Sequence, residues 1–178
     1  MSVSRQIRKG LWILCVAVLL QVGMGILVKT LGIGSELADN GNYFFKNFPL
    51  WFAVIFIAII GPFLEEVQYR LFPIFWITKT TSSARWLWTI MALSSFVWAW
   101  EHGPTNIRAI FFFVPLGILF SWAYLKYGFF SCLTAHILLN TLVTFRDIFG
   151  TPGALEHHLQ KLPLMYDLYT QFFRLLIF

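Results

Sequence analysis

Two adjacent carboxylates, Glu65 and Glu66, and one guanidinium, Arg70, interrupt an apolar run from Trp51 to Ile77 that is long enough to cross a bilayer. A charged side chain at the bilayer centre costs roughly 2.5–3.5 kcal/mol on insertion scales, so a helix that only had to cross would not collect such groups. The run must therefore pack against other helices that shield them, and it reads first as a functional site. Its central stretch is Gly61-Pro62-Phe63-Leu64-Glu65-Glu66-Val67-Gln68-Tyr69-Arg70.

Composition sets the surrounding medium. Of 178 residues, 58% are hydrophobic and 12% are charged, against roughly 45–50% apolar residues in soluble domains. With a mean hydropathy of +0.73, the chain reads as an integral membrane protein in contact with the lipid bilayer. The formal net charge is +5, but Lys and Arg are scattered singly at segment ends. They mark the limits of spans and form no nucleic-acid patch. Cys15 and Cys132 fall in apolar runs at no metal-ligand spacing and are expected to be small buried residues. The first run, Leu11 to Val28, follows Arg5, Arg8 and Lys9. It exceeds the core of a signal peptide, about 7–15 residues, and predicts a retained helix.

Five spans are predicted, at about 11–28, 49–77, 86–102, 107–125 and 128–146. The fold class is thus all-α: a polytopic transmembrane bundle forming one membrane-embedded domain over residues 1–178. After a break at Thr151-Pro152-Gly153, the tail from Leu164 to Phe178 has apolar residues at helical spacing, with Asp167, Gln171 and Arg174 opposite, which predicts an interfacial helix. His157 and His158, beside Glu156, read as a solvated loop pair. The N-terminal basic cluster favours a cytoplasmic N-terminus, as in a bacterial inner membrane or its equivalent.

Rise along the helices places the polar residues at similar depth. Counted from the loop at Lys79, Glu65 and His102 both lie about 20–26 Å along their helices, and from Tyr127 His136 lies about 13 Å and Asn140 about 20 Å in. Glu66 and Arg70, at i and i+4, share one helix face with the carboxylate first, the better order for an internal pair. Glu65 lies about 100° around the helix and is free to face elsewhere. His136 and Asn140, also four apart, share a face.

Peptide hydrolysis needs a water to be deprotonated, an oxyanion to be held and a proton to reach the leaving amine. A shielded glutamate and a histidine suit the first and last tasks. His136 and Asn140 are donors of the kind that hold an oxyanion. A metal variant is open as well: Glu65, His102 and His136 could ligate a divalent ion such as zinc, although no HExxH motif is present. Two other readings use the same residues. The carboxylates could bind a proton or ion in a transporter or immunity factor, or the ion cluster could simply fix helix packing. Tyr69 and Trp98 read as packing residues.

The order Glu65-Glu66-Val67-Gln68-Tyr69-Arg70, then Trp98 four residues before His102, then His136-Ile137-Leu138-Leu139-Asn140, resembles the CPBP family of CAAX proteases and bacteriocin-processing (Abi) enzymes. The resemblance runs from about Ile59 to Thr141 and takes in Ser94-Ser95 and Gly117. It implies a glutamate-dependent intramembrane endopeptidase acting, with no required cofactor, on a peptide or protein at the membrane. Glu65 and His102 would activate water, Glu66 and Arg70 would organise the site, and His136 with Asn140 would hold the oxyanion. Four positions depart from the family pattern. Trp98 and Tyr69 stand where phenylalanine is usual, and Leu71 and Ser121 where glycine is common.

Overall fold

The structure is a computed structural model that describes residues 1–33, 47–103 and 107–150, of which 149 and 150 by backbone alone. The tail helix predicted over 164–178, the break at Thr151-Pro152-Gly153 and the pair His157 and His158 lie outside the described residues. So do most of the first loop and the segment 104–106.

The described residues form an all-α bundle without strands. Its long helices are α1 (Val3–Thr30), α2 (Leu50–Thr80), α3 (Ala84–Glu101), α4 (Ile107–Tyr127) and α5 (Phe129–Gly150). Four of them, α1, α2, α4 and α5, are long and apolar enough to cross a membrane. The other predicted span, α3, has 18 residues, about 27 Å of rise, with Arg85 and Glu101 near its two ends. The outer surface is apolar: Leu19, Ile26, Trp51, Phe72 and Trp76 stand exposed, as hydrocarbon-facing residues must.

Helix α1 packs on α4 and α5 through a narrow stripe made by Gly10, Ile13 and Ala17. Cys15 sits about 200° around the helix from Ile13. It is exposed, contrary to expectation, whereas Cys132 is buried as expected. The α4–α5 hairpin turns at Gly128, whose φ of 96° is costly for any residue with a Cβ. Gln6 of α1 reaches this turn, and its Oε1 accepts the Phe130 N–H at 3.1 Å, capping one of the unpaired donors at the start of α5.

Helix α2 is interrupted twice by a π-helical turn, at Phe56–Ile60 and Val67–Leu71. Each turn ends two residues before a proline, Pro62 and Pro73 respectively. A proline inside a helix lacks an N–H and its ring crowds the carbonyl four residues back. Widening the preceding turn relieves that clash: Gly61 donates to the Phe56 carbonyl and Phe72 to the Val67 carbonyl, five residues back in both cases. The two wide turns bracket the segment carrying Glu65 and Glu66, and π turns recur at functional sites.

Helices α3 and α4 meet at their smallest residues. A Cβ on Gly117 would lie 2.8 Å from the Ser95 Cβ, so only glycine permits this approach. Small residues at such crossings let membrane helices close by dispersion alone. Gly117→Val is therefore expected to destabilise the protein by about 1–3 kcal/mol. Ser95→Gly in the same chain should recover part of that loss, as read by thermal unfolding in detergent. A Gly117→Val protein that melts at the wild-type temperature would contradict the tight crossing.

Candidate active site

Glu66 and Arg70 are fully buried and lie one turn apart on α2, with Arg70 Nη1 3.5 Å from Glu66 Oε1. From α5, His136 Nδ1 approaches the same oxygen at 2.7 Å. A carboxylate accepts, so Nδ1 carries the proton and the ring's other nitrogen, Nε2, faces away. The Arg70 guanidinium lies 4.4 Å from the centre of the Trp98 ring and 5.8 Å from that of Phe120. Cation and ring faces attract most strongly where water is excluded. The two charges of the buried pair thus oppose one another, and on the side of Trp98 and Phe120 Arg70 meets rings, not further charges.

Glu65 and His102 form the open half, each about a quarter exposed (26%). His102 closes the C-terminus of α3, where the chain tightens: its N–H bonds the Ala99 carbonyl and the Gly103 N–H bonds that of Trp100. The Trp98 carbonyl, which a continuing α-helix would pair with the His102 N–H, instead meets His102 Nδ1 at 2.8 Å. Because a carbonyl only accepts, the proton is on Nδ1 and Nε2 is left to act. This nitrogen points to Glu65 Oε2 at 3.9 Å, and His136 Nε2 points to the same oxygen at 3.7 Å. Neither separation is a direct hydrogen bond. Both are gaps that a single oxygen atom at ordinary bonding distances of about 2.8 Å would bridge. Glu65 Oε2 also accepts a hydrogen bond from the indole Nε1–H of Trp98.

The α2 and α5 helices run antiparallel, with Ala53 against Ile148 at one end and Glu66 against His136 towards the other. Between these contacts, Asn140 Nδ2 donates to the Ile57 carbonyl at 3.1 Å. That carbonyl lies in the π turn five residues before Pro62, which has no N–H to offer it. Asn140 is therefore on the site's face of α5, as its spacing from His136 predicts, with one amide hydrogen committed to α2. At the rim, the Tyr69 hydroxyl accepts from Gln68 Nε2 at 3.0 Å and lies beside the Glu101 carboxylate.

All six expected site residues therefore come from three helices to one region. Glu65, His102 and His136 converge on one oxygen, Glu66 and Arg70 lie behind them, and Asn140 is set to one side. Among the described residues, no group of three His, Cys, Asp or Glu side chains is placed to hold a metal ion. Trp98 is the site residue that reading by residue type underrated. Its signal was positional, four residues before His102 on the same face of α3, and it is the most deeply buried of the tryptophans, at 1% exposure.

The fold and site define a class: an integral membrane protein of helices that encloses a carboxylate and two imidazoles within the bundle. The family described as Type II CAAX prenyl endopeptidase Rce1-like matches residues 47–142. That stretch holds more than half of the chain and all six residues above, and the chain belongs to this family of membrane proteases. No curated protein and no solved structure matches it.

Removing one member of the buried pair leaves the other charge uncompensated. Arg70→Met is expected to cost about 3–5 kcal/mol, and the double variant Glu66→Gln/Arg70→Met should regain much of it. Thermal unfolding of the wild type, Glu66→Gln, Arg70→Met and the double variant decides this. Additive losses in the double variant would show that the two side chains do not act as a pair.

Proposed function

We propose that this protein is a glutamate-dependent intramembrane endopeptidase in which Glu65 and His102 activate the attacking water. The observation that carries the reading is the convergence of His102 Nε2 and His136 Nε2 on Glu65 Oε2, at 3.9 and 3.7 Å, on the accessible side of a fully buried ion pair. A structural ion cluster has no need of a second, partly open carboxylate facing two unengaged imidazole nitrogens.

In the proposed reaction a water lies between Glu65 and His102 and gives up one proton to this base pair. The hydroxide forms a bond to the carbonyl carbon of the scissile peptide, whose oxygen takes the electron pair. His136, with its Nδ1 held by Glu66, offers Nε2 to that oxygen when it carries a proton, and the second amide hydrogen of Asn140 is the other donor on the same face of α5. The proton taken from water is then delivered to the leaving nitrogen as the C–N bond breaks. The sum is one water consumed, with a carboxylic acid and an amine formed.

The substrate in this reading is a peptide or protein held at the membrane: a leader peptide, a C-terminal sorting signal, or a lipid-modified C-terminus of the kind named in the family's description. The chemistry is supplied by side chains without a metal. The N-terminus is placed on the cytoplasmic side, on the strength of Arg5, Arg8 and Lys9.

Glu65→Gln and His102→Ala should each abolish cleavage, a loss of at least about 100-fold for removal of a general base, while the proteins remain folded and inserted. Cleavage of a membrane-anchored reporter peptide by purified Glu65→Gln protein at the wild-type rate would overturn the assignment. A separate assay addresses the metal. Wild-type activity is expected to survive exhaustive chelation, and loss that zinc restores would transfer Glu65, His102 and His136 to a metal-centred mechanism.

A further inference from the structure

We infer that Trp98 is a positioning residue, through which the buried Glu66–Arg70 pair holds the Glu65 carboxylate in its reactive orientation. The inference rests on the peptidase reading above. Glu65 is partly open and, unlike Glu66, has no Arg or Lys as a partner; its oxygen Oε2 faces the two imidazoles without a direct hydrogen bond and accepts the indole N–H of Trp98. A carboxylate on a flexible side chain has several rotamers of similar energy, and a single directed donor from a rigid ring selects one of them.

The ring is itself immobilised. Trp98 is 1% exposed. Arg70 lies over its face at 4.4 Å, and Phe113 meets it edge-on at 5.4 Å. His102 and His136 meet it edge-on too, at 4.9 and 5.5 Å between ring centres. The other tryptophans do not share this setting: Trp12, Trp51, Trp76, Trp86, Trp88 and Trp100 are exposed, and Trp122 is partly buried. A cation over the face of an indole withdraws electron density from it and makes its N–H a better donor. Arg70 therefore does two things at once, balancing Glu66 by charge and strengthening the tether on Glu65 through the ring.

The choice of residue type matters here. Phenylalanine would fill most of the same volume and keep the cation–ring contact, but it has no hydrogen to donate. A residue needed only for packing would lose little by that exchange. One needed for its N–H would lose the orientation of Glu65.

The test has a catalytic and a spectroscopic arm. Trp98→Phe should lower kcat by about tenfold or more, the worth of one hydrogen bond to a charged group, with KM within about twofold of wild type. In protein labelled with 15N at the indoles, the Trp98 signal is identified by its absence from Trp98→Phe and by its protection from a paramagnet dissolved in the lipid. Glu65→Ala should move that signal upfield, as expected when an N–H loses its acceptor. An unmoved signal overturns the tether, even if Trp98→Phe fails to fold. A shifted signal with wild-type kcat in Trp98→Phe overturns the positioning role. The spectroscopic arm needs no turnover, so a wild-type protein that cleaves nothing would bring down the peptidase reading while the tether is still judged on the signal.

Discussion

A charged group inside a membrane bundle must be neutralised where it stands, and the Glu66–Arg70 pair is the constraint around which the other helices are arranged. Taken alone, such a pair is not a stabilising device: desolvation offsets most of the attraction, and a well-packed apolar pair would often do as well. Its neighbours offset part of that cost, while Glu66 Oε2 and the three guanidinium nitrogens make no hydrogen bond among the described residues. His136 gives Glu66 a hydrogen bond at 2.7 Å. Trp98 and Phe120 offer ring faces to Arg70. Each of these partners comes from a different helix, so the ion pair ties α3, α4 and α5 to α2. Once they are tied, Glu65, one residue along, is carried into the space between His102 and His136.

The shape of α2 follows from the same economy. Pro62 and Pro73 each deprive the helix of a donor, and the π turns before them take up the steric clash. The Ile57 carbonyl, five residues before Pro62, is met by Asn140 of the neighbouring helix. A backbone group left unpaired in hydrocarbon would cost several kcal/mol. The irregularity of α2 and its docking on α5 are thus one feature, in which a side chain supplies what the proline withholds.

Much of this was legible in the residues. Three charges in an apolar run signalled the candidate site, i,i+4 spacing signalled the Glu66–Arg70 pair, and rise per residue put the histidines level with Glu65. The fold class and the family likeness followed from the same segments. Depth, however, is one coordinate, and azimuth is set by packing. Nothing in spacing alone told that Asn140 would use an amide hydrogen on Ile57, that Cys15 would face outward, or that α2 would widen twice. Trp98 packs in the core as its residue type predicts, and its hydrogen bond to Glu65 was hidden for a related reason. An aromatic in a membrane helix is usually a packing residue, and its N–H acquires a role only when a carboxylate from another helix arrives beside it.

The division of the site into a sealed half and an open half bears on how it can act. Glu66, Arg70 and His136 are 0–2% exposed, whereas Glu65 and His102 are each 26% exposed. In the proposed reaction the base must meet a peptide and a water and so cannot be sealed, whereas charges held without reorganisation should be. Preorganised groups act most strongly where water is excluded, because they need not turn when charge develops. The same logic explains the two imidazoles. Each has its Nδ1 occupied, by the Trp98 carbonyl in one case and by the Glu66 carboxylate in the other. Each therefore turns a single defined nitrogen towards Glu65. With the tautomers set by local backbone and buried charge, the proposed proton transfers run through the two free Nε2 atoms and the Glu65 carboxylate that they face.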